Sequence, residues 1–448
     1  MPADPALKRE LGLRDLTLFA IACIVSARWI PIAAHAGPGS VTLWLLAAVL
    51  FMVPLSVAVA ALVAKYPSAG GLYLWIRQDF GPWPGFLSFW IYWIGIAFLF
   101  PTAALLYVKV GFSMFGPVFA RLGDNRFYLV AATVALIWIA LGSNLIGLKI
   151  GKWTENIGGL ATWAVGILLI AVAWMVWTRR SPATPLHILP NWSWGTVNFW
   201  AAIAYAMSGM ECAGMMAGEI RDPERTMRRA SWIASAFAAA FYVSATVAFL
   251  VVLSPDNISE LNGFAQVGDS AGLLLGARWL SPLLALLVVA SGIGFVGGMG
   301  TAVSRLPFAA GVDRLLPAAF GKVHPRWGTP YVAILALGLV ATSLLVVYQL
   351  GDSMRAAYDE LVSLMVITGF LPYIYLFGSA WKAGKRLSVV SGGAITALAL
   401  FCSVVPPGEI TNIWLFESKL AAGTLAVVGS GWLIYRRRSN RAVPGGVD

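Results

Sequence analysis

Two charged side chains, Arg28 and Glu211, stand deep inside otherwise apolar stretches of this 448-residue chain. Near a bilayer centre a charge costs at least about 2.5 kcal/mol on insertion scales, so one that persists there is paired or put to use. Arg28 follows a run of small residues, with Pro31 shortly after it and Gly37-Pro38-Gly39 beyond. Glu211 follows Ser208-Gly209-Met210, and its run continues through Gly214 and Gly218. Small residues or proline beside an intramembrane charge let a helix unwind and present backbone groups to a polar solute. Several roles are open to the two side chains. They neutralise each other as a buried pair, or Arg28 snorkels to an interface. They line a solute site, or they form a pair that opens when a solute or proton arrives. Glu211 is in that case also a candidate proton carrier.

The elements that must hold these residues follow from composition. Hydrophobic residues make up 59% of the chain and charged ones 11%, against roughly 25% charged in a soluble domain. The apolar residues fall in runs of about 20 or more, enough to cross a hydrocarbon core about 30 Å thick as helix. Spans are predicted near 15–36, 40–64, 84–111, 127–148, 155–177, 196–218, 230–253, 278–307, 329–350, 358–380, 387–405 and 412–435. This is an all-α integral membrane protein of about twelve helices. One transmembrane domain, 15–435, lies between an N-terminal segment 1–14 and a tail 436–448, because no loop is long enough for a separate soluble domain.

Of the 31 Lys and Arg residues, 22 fall on or nearest the side of both termini under this twelve-span reading and 8 on or nearest the other, with Arg28 deep inside a span. Cytoplasmic loops retain positive charge, so both termini are expected in the cytoplasm of a multi-pass cell-membrane protein. The N-terminal segment has no apolar stretch ending in a small-residue cleavage site, so insertion is expected to rely on the first span. The basic clusters Arg225 to Arg229 and Arg436 to Arg438 fix topology and meet anionic lipid. Trp192 and Trp194, beside Pro190, are expected at headgroup depth. Spans one and six, the two with charges and small residues, occupy corresponding positions if spans one to five and six to ten are two repeats. Repeats of this kind surround a midplane solute site in secondary transporters.

Other classes of function find little support. The net charge of +11 is spread through short loops rather than gathered in a nucleic-acid patch. Cys23, Cys212 and Cys402 all lie in apolar runs, without C-x-x-C spacing or clustered histidines, so neither a disulfide framework nor a metal site is expected. No cofactor is implied. Gly292-Ile293-Gly294-Phe295-Val296-Gly297 matches a dinucleotide pattern but lies within an apolar span, where close helix packing explains it better. Pro54 and Pro101 are expected to kink their spans, with a hinge as the second reading. His35, at the outer end of the first span, reads as an interfacial histidine or a pH sensor. Metalloprotease and hydrolase motifs do not occur, nor does G-x-x-x-x-G-K-[ST], so an enzyme is not expected and energy would come from an ion gradient or exchange. A non-transporting amino-acid sensor would be expected to add a signalling domain, for which the termini are too short.

Four segments carry a family resemblance. Tyr66-Pro67-Ser68-Ala69-Gly70-Gly71-Leu72-Tyr73 with Phe80-Gly81 is the first, and Ser208-Gly209-Met210-Glu211 with Ala217, Glu219, Pro223 and Arg225 the second. Arg305, Asp313-Arg314-Leu315-Leu316-Pro317, His324-Pro325 and Gly328-Thr329-Pro330 form the third, and Asn144 with Gly147, Lys149 and Asn156 the fourth. Together they resemble the amino acid, polyamine and organocation permeases over about residues 10–335. The resemblance implies a five-plus-five inverted-repeat fold of the LeuT type, with discontinuous helices 1 and 6. The repeats would cover about 15–177 and 196–380, with two added helices over 387–435. It implies a secondary transporter of amino acids or related solutes, with a co-transported proton or sodium ion as possible partner.

On the same resemblance Tyr205 is an aromatic gate, and Ala206, Met207, Ser208 and Gly209 are the unwound stretch that meets a substrate amino group. The family's glycine-rich turn in the first span, whose amides hold the substrate carboxylate, is replaced here by Ser26-Ala27-Arg28-Trp29. Arg28 at that place binds an anion bidentately or fills the pocket and excludes ordinary amino acids, which widens the substrate class to anionic amino acids, other carboxylates and polyamines. Thr162 stands where some proton-coupled relatives carry a lysine, so lysine-based coupling is not implied.

Overall fold

A computed structural model of the protein describes residues 9, 11–68, 70–185, 189, 194–349, 354–406 and 412–442. Pro190 and Trp192 lie outside the described residues, as do Ala69, most of the N-terminal segment and the end of the tail. Among the described residues the chain is helical, and its extended pairing is one isolated bridge between Leu11 and Ile220.

The helices follow the apolar runs because a chain in lipid has to satisfy its backbone groups within each segment. In chain order they are α1 (Leu13–Ile24), α2 (Trp29–His35), α3 (Ser40–Lys65), α4 (Gly71–Phe80), α5 (Pro82–Ser113), α6 (Arg126–Leu145) and α7 (Leu148–Trp177). Then come α8 (Trp194–Ala206), α9 (Met210–Met215), α10 (Pro223–Val252), α11 (Gly263–Leu275), α12 (Leu280–Val303), α13 (Arg305–Val312) and α14 (Tyr331–Gln349). The chain closes with α15 (Met354–Lys382), α16 (Arg386–Val404) and α17 (Ile413–Ala442). Among the described residues eight helices are long and apolar enough to cross a membrane, or nine if α1 and α2, bent by 47° at their junction, are one span.

Helix α5 is the pillar of the bundle. Its most apolar window is 94% buried, whereas that of α16 is 28% buried and lies at the periphery. Helices α12, α14, α15 and α17 all pack on α5, α10 packs on α1, α3 and α7, and α7 lies along α12. At that last seam a Cβ added to Gly158 would lie 2.4 Å from the Cα of Gly294, and where α12 meets α5 one on Gly292 would enter the Tyr107 ring. The glycine-rich run of α12 is therefore a packing surface, as expected.

Several boundaries differ from expectation. Helix α10 begins at Pro223, so Arg225, Arg228 and Arg229 occupy its first turns rather than a loop, since proline is suited to a first helical turn. Helix α17 continues through Arg436 to Arg438, where positive charge favours a helix C-terminus. The kink expected at Pro54 is preceded by a π-helical turn over Ala48–Met52, while Pro101 sits within the continuous α5. Helices α4 and α11 were not expected. His35 is half-buried, its ring edge-on to Phe199 and its Nδ1 3.1 Å from the Ile258 carbonyl.

Candidate functional site

Two interruptions meet at the centre. Helix α1 closes where the Val25 amide bonds Ile21, and residues 25–28 then run irregularly before α2. A break inside an apolar bundle frees backbone groups that need new partners. Tyr242 of α10 supplies them, its hydroxyl donating to the Ile24 carbonyl at 2.8 Å and accepting the Ser26 amide at 3.0 Å. The Ser26 hydroxyl lies 2.7 Å from that of Tyr107 on α5. Trp44 stacks flat on Tyr242 at 4.4 Å and donates to Thr246, which fixes the tyrosine in turn.

The second interruption separates α8 from α9 at 207–209. The Met207 and Ser208 amides bond back to Ala204 and Tyr205, and Gly209 then adopts φ +113°. A Cβ at Gly209 would lie 2.9 Å from the Cys23 carbonyl oxygen, so the two broken helices touch at a point that accepts only glycine.

Arg28 is completely buried. Its Nη1 donates to Thr102 of α5 at 2.6 Å and reaches Met365 Sδ on α15 at 3.6 Å, and its guanidinium lies 4.2 Å from the centre of the Trp29 ring. Nε and Nη2 have no hydrogen-bond partner among the described residues. Glu211, also completely buried, accepts from the Tyr92 hydroxyl at 2.6 Å and from the Gly209 amide at 3.1 Å. Arg28 and Glu211 therefore keep separate partners, and no ion pair joins them among the described residues. Tyr205 meets Trp29 edge-on at 5.9 Å and Phe370 at 5.6 Å, its ring against Gly369 of α15.

The structure brings together Ser26, Ala27, Arg28, Trp29, the 205–209 stretch and Glu211, all but Ser208 buried. Thr162 makes no such contact; its hydroxyl donates to Gly158 of its own helix, α7, at 2.9 Å. Sequence reasoning missed Tyr92, Thr102, Tyr107, Tyr242 and Met365, which contact the breaks from other helices.

A second polar cluster closes the end of the bundle that holds Leu11. Arg305, on α13, donates through Nε to Glu219 at 2.9 Å and through Nη1 to the Thr301 carbonyl, while the Thr301 hydroxyl donates to Glu155 of α7 at 2.8 Å. The Leu11 amide bonds the Glu219 carbonyl and the Arg221 amide bonds back to Leu11. Nearby, Asp313 accepts from Arg77 and Tyr73; burial and then this bond push the Tyr73 phenol up, keeping it a donor. A cleft beside Arg305 is lined by Asn144, Phe308 and Thr329, so it belongs to this end rather than to the breaks.

Polytopic helices, two of them broken side by side around buried polar groups, are the arrangement found in membrane transport proteins. The chain belongs to the amino acid permease family, whose model matches residues 11–434. It is 26% identical to an uncharacterized transporter of Legionella pneumophila over 97% of this chain and 98% of that protein. It is also 26% identical to a serine/threonine exchanger of Bacillus subtilis over 86% and 85% of the two chains. With a probable agmatine/putrescine antiporter of Lactococcus lactis it shares 22% identity over 84% and 80%.

Proposed function

We propose that the chain is a secondary active transporter that moves amino acids or related small organic solutes by alternating access, through ion-coupled symport or exchange. The observation that carries this reading is the meeting of the two interruptions, with Cys23 against Gly209 and Arg28, Trp29 and Tyr205 around them. The names of the serine/threonine and agmatine/putrescine relatives support the solute class. Ser26, Ala27, Arg28 and Trp29 form one wall of the solute site, Ala206 to Gly209 the other, and Tyr205 the gate.

The same reading takes the protein to span the membrane twelve times, with both termini cytoplasmic. It adds α8 with α9, α14 and α17 to the nine segments above, in two repeats of five plus two more spans. The bias of Lys and Arg toward one side supports that orientation. Uptake of a labelled amino-acid panel into proteoliposomes, with and without proton or sodium gradients, tests the function. Accumulation or exchange of at least one solute is expected, and no entry of any panel member overturns it. Glu211 is the proposed proton carrier, so Glu211→Gln should flatten the pH dependence of uptake; an unaltered profile removes that role. Thr162 stays a candidate for gating or coupling on this reading, without the charge that a lysine would bring.

A further inference from the structure

The partners of Arg28 leave one edge of its guanidinium unused. Nη1 lies on the side of the side chain's own Cδ and is committed to Thr102, with Met365 beyond. Trp29 covers a face at 4.2 Å. The two unpartnered nitrogens, Nε and Nη2, project their N–H bonds in parallel from the opposite edge. That pair of donors is spaced for the two oxygens of one carboxylate, and a fully buried cation with two unmet donors is costly unless something answers it. No carboxylate is within ion-pair distance among the described residues, and Glu211 is bonded to Tyr92 and Gly209 instead. The position is next to the Ser26–Trp29 break and within the aromatic set of Trp29, Tyr205 and Phe370.

We propose that a carboxylate is the obligatory recognition element of the transported solute, held side-on by Nε and Nη2 of Arg28. The inference rests on the transport reading above and narrows it: amino acids and amine-free carboxylates are taken, and amines without a carboxylate are not. Thr102 and Trp29 act as positioning residues that hold the edge toward the solute. Lysine cannot replace Arg28, because a single ammonium offers no two-donor edge.

The experiment uses wild-type protein in proteoliposomes and the best-transported amino acid of the panel. Two analogues compete with it, its decarboxylated amine and its deaminated carboxylic acid. The acid is expected to compete at least about tenfold better than the amine, the worth of a charge-assisted bidentate contact. In Arg28→Lys that ratio should fall toward one. An amine that competes as well as the acid in the wild type overturns the carboxylate assignment while leaving transport standing. A ratio unchanged in Arg28→Lys overturns the role of the guanidinium edge and leaves its donors to water. Should Arg28→Lys fail to insert, the wild-type ratio still decides the carboxylate. Absence of all uptake would instead strike the transport reading itself.

Discussion

Arg28 and Arg305 are both buried arginines, yet they are satisfied in opposite ways. Arg305 has its carboxylate, Glu219, at 2.9 Å and a backbone carbonyl besides, and the segment it holds is bonded in turn to Leu11. Arg28 has a neutral hydroxyl and a thioether, and two donors without partners among the described residues. An ion pair completed within the protein serves closure, and its removal is felt as lost stability. On the proposal above, the cation left incomplete at Arg28 serves a solute that comes and goes.

The sharpest way to break the contrast is to truncate each arginine. Arg305→Ala leaves Glu219 buried without its partner, which should cost about 3–5 kcal/mol and lower the thermal transition in detergent. Arg28→Ala removes an uncompensated cation, so stability should hold or rise while uptake is lost and insertion stays intact. If Arg28→Ala lowers the transition as far as Arg305→Ala does, the two sites are not different in kind. A smaller effect is expected from Tyr242→Phe, which leaves the Ile24 carbonyl and Ser26 amide without their shared partner. A loss of about 1–3 kcal/mol, with slower turnover, should follow. Thr102→Val should do least to the fold, within about 1.5 kcal/mol, while raising the apparent KM several-fold because the guanidinium is less well held. An unchanged KM would mean that Thr102 does not orient Arg28.

How much of this was legible in the chain differs by region. Spans are written in long apolar runs, so most of the long helices lie within a few residues of their expected ends, while α7, α10 and α17 each extend further at one end. Both interruptions were legible too, since Arg28 and Ser208-Gly209 break the apolar pattern where they stand. What answers the interruptions was not. Tyr242 lies 216 residues from Ser26 and Thr102 74 from Arg28, each within an apolar stretch of another helix, so no local pattern links it to the break. Helix α4 was missed because, at ten residues with Arg77, Gln78 and Asp79 near its end, it reads as a polar loop. The separation of Arg28 from Glu211 was equally hidden, because two opposite charges in apolar runs suggest a pair until the third helix, bearing Tyr92, is in view.

The Tyr242 hydroxyl is a single oxygen that serves two peptide groups on either side of Val25. Because it belongs to α10 and the bend belongs to α1, the bend is a report of how far apart those helices stand. Drawing them apart by an ångström or so strains both bonds, since they share one atom. The bend in the first span is therefore tied to α10 through a single oxygen atom.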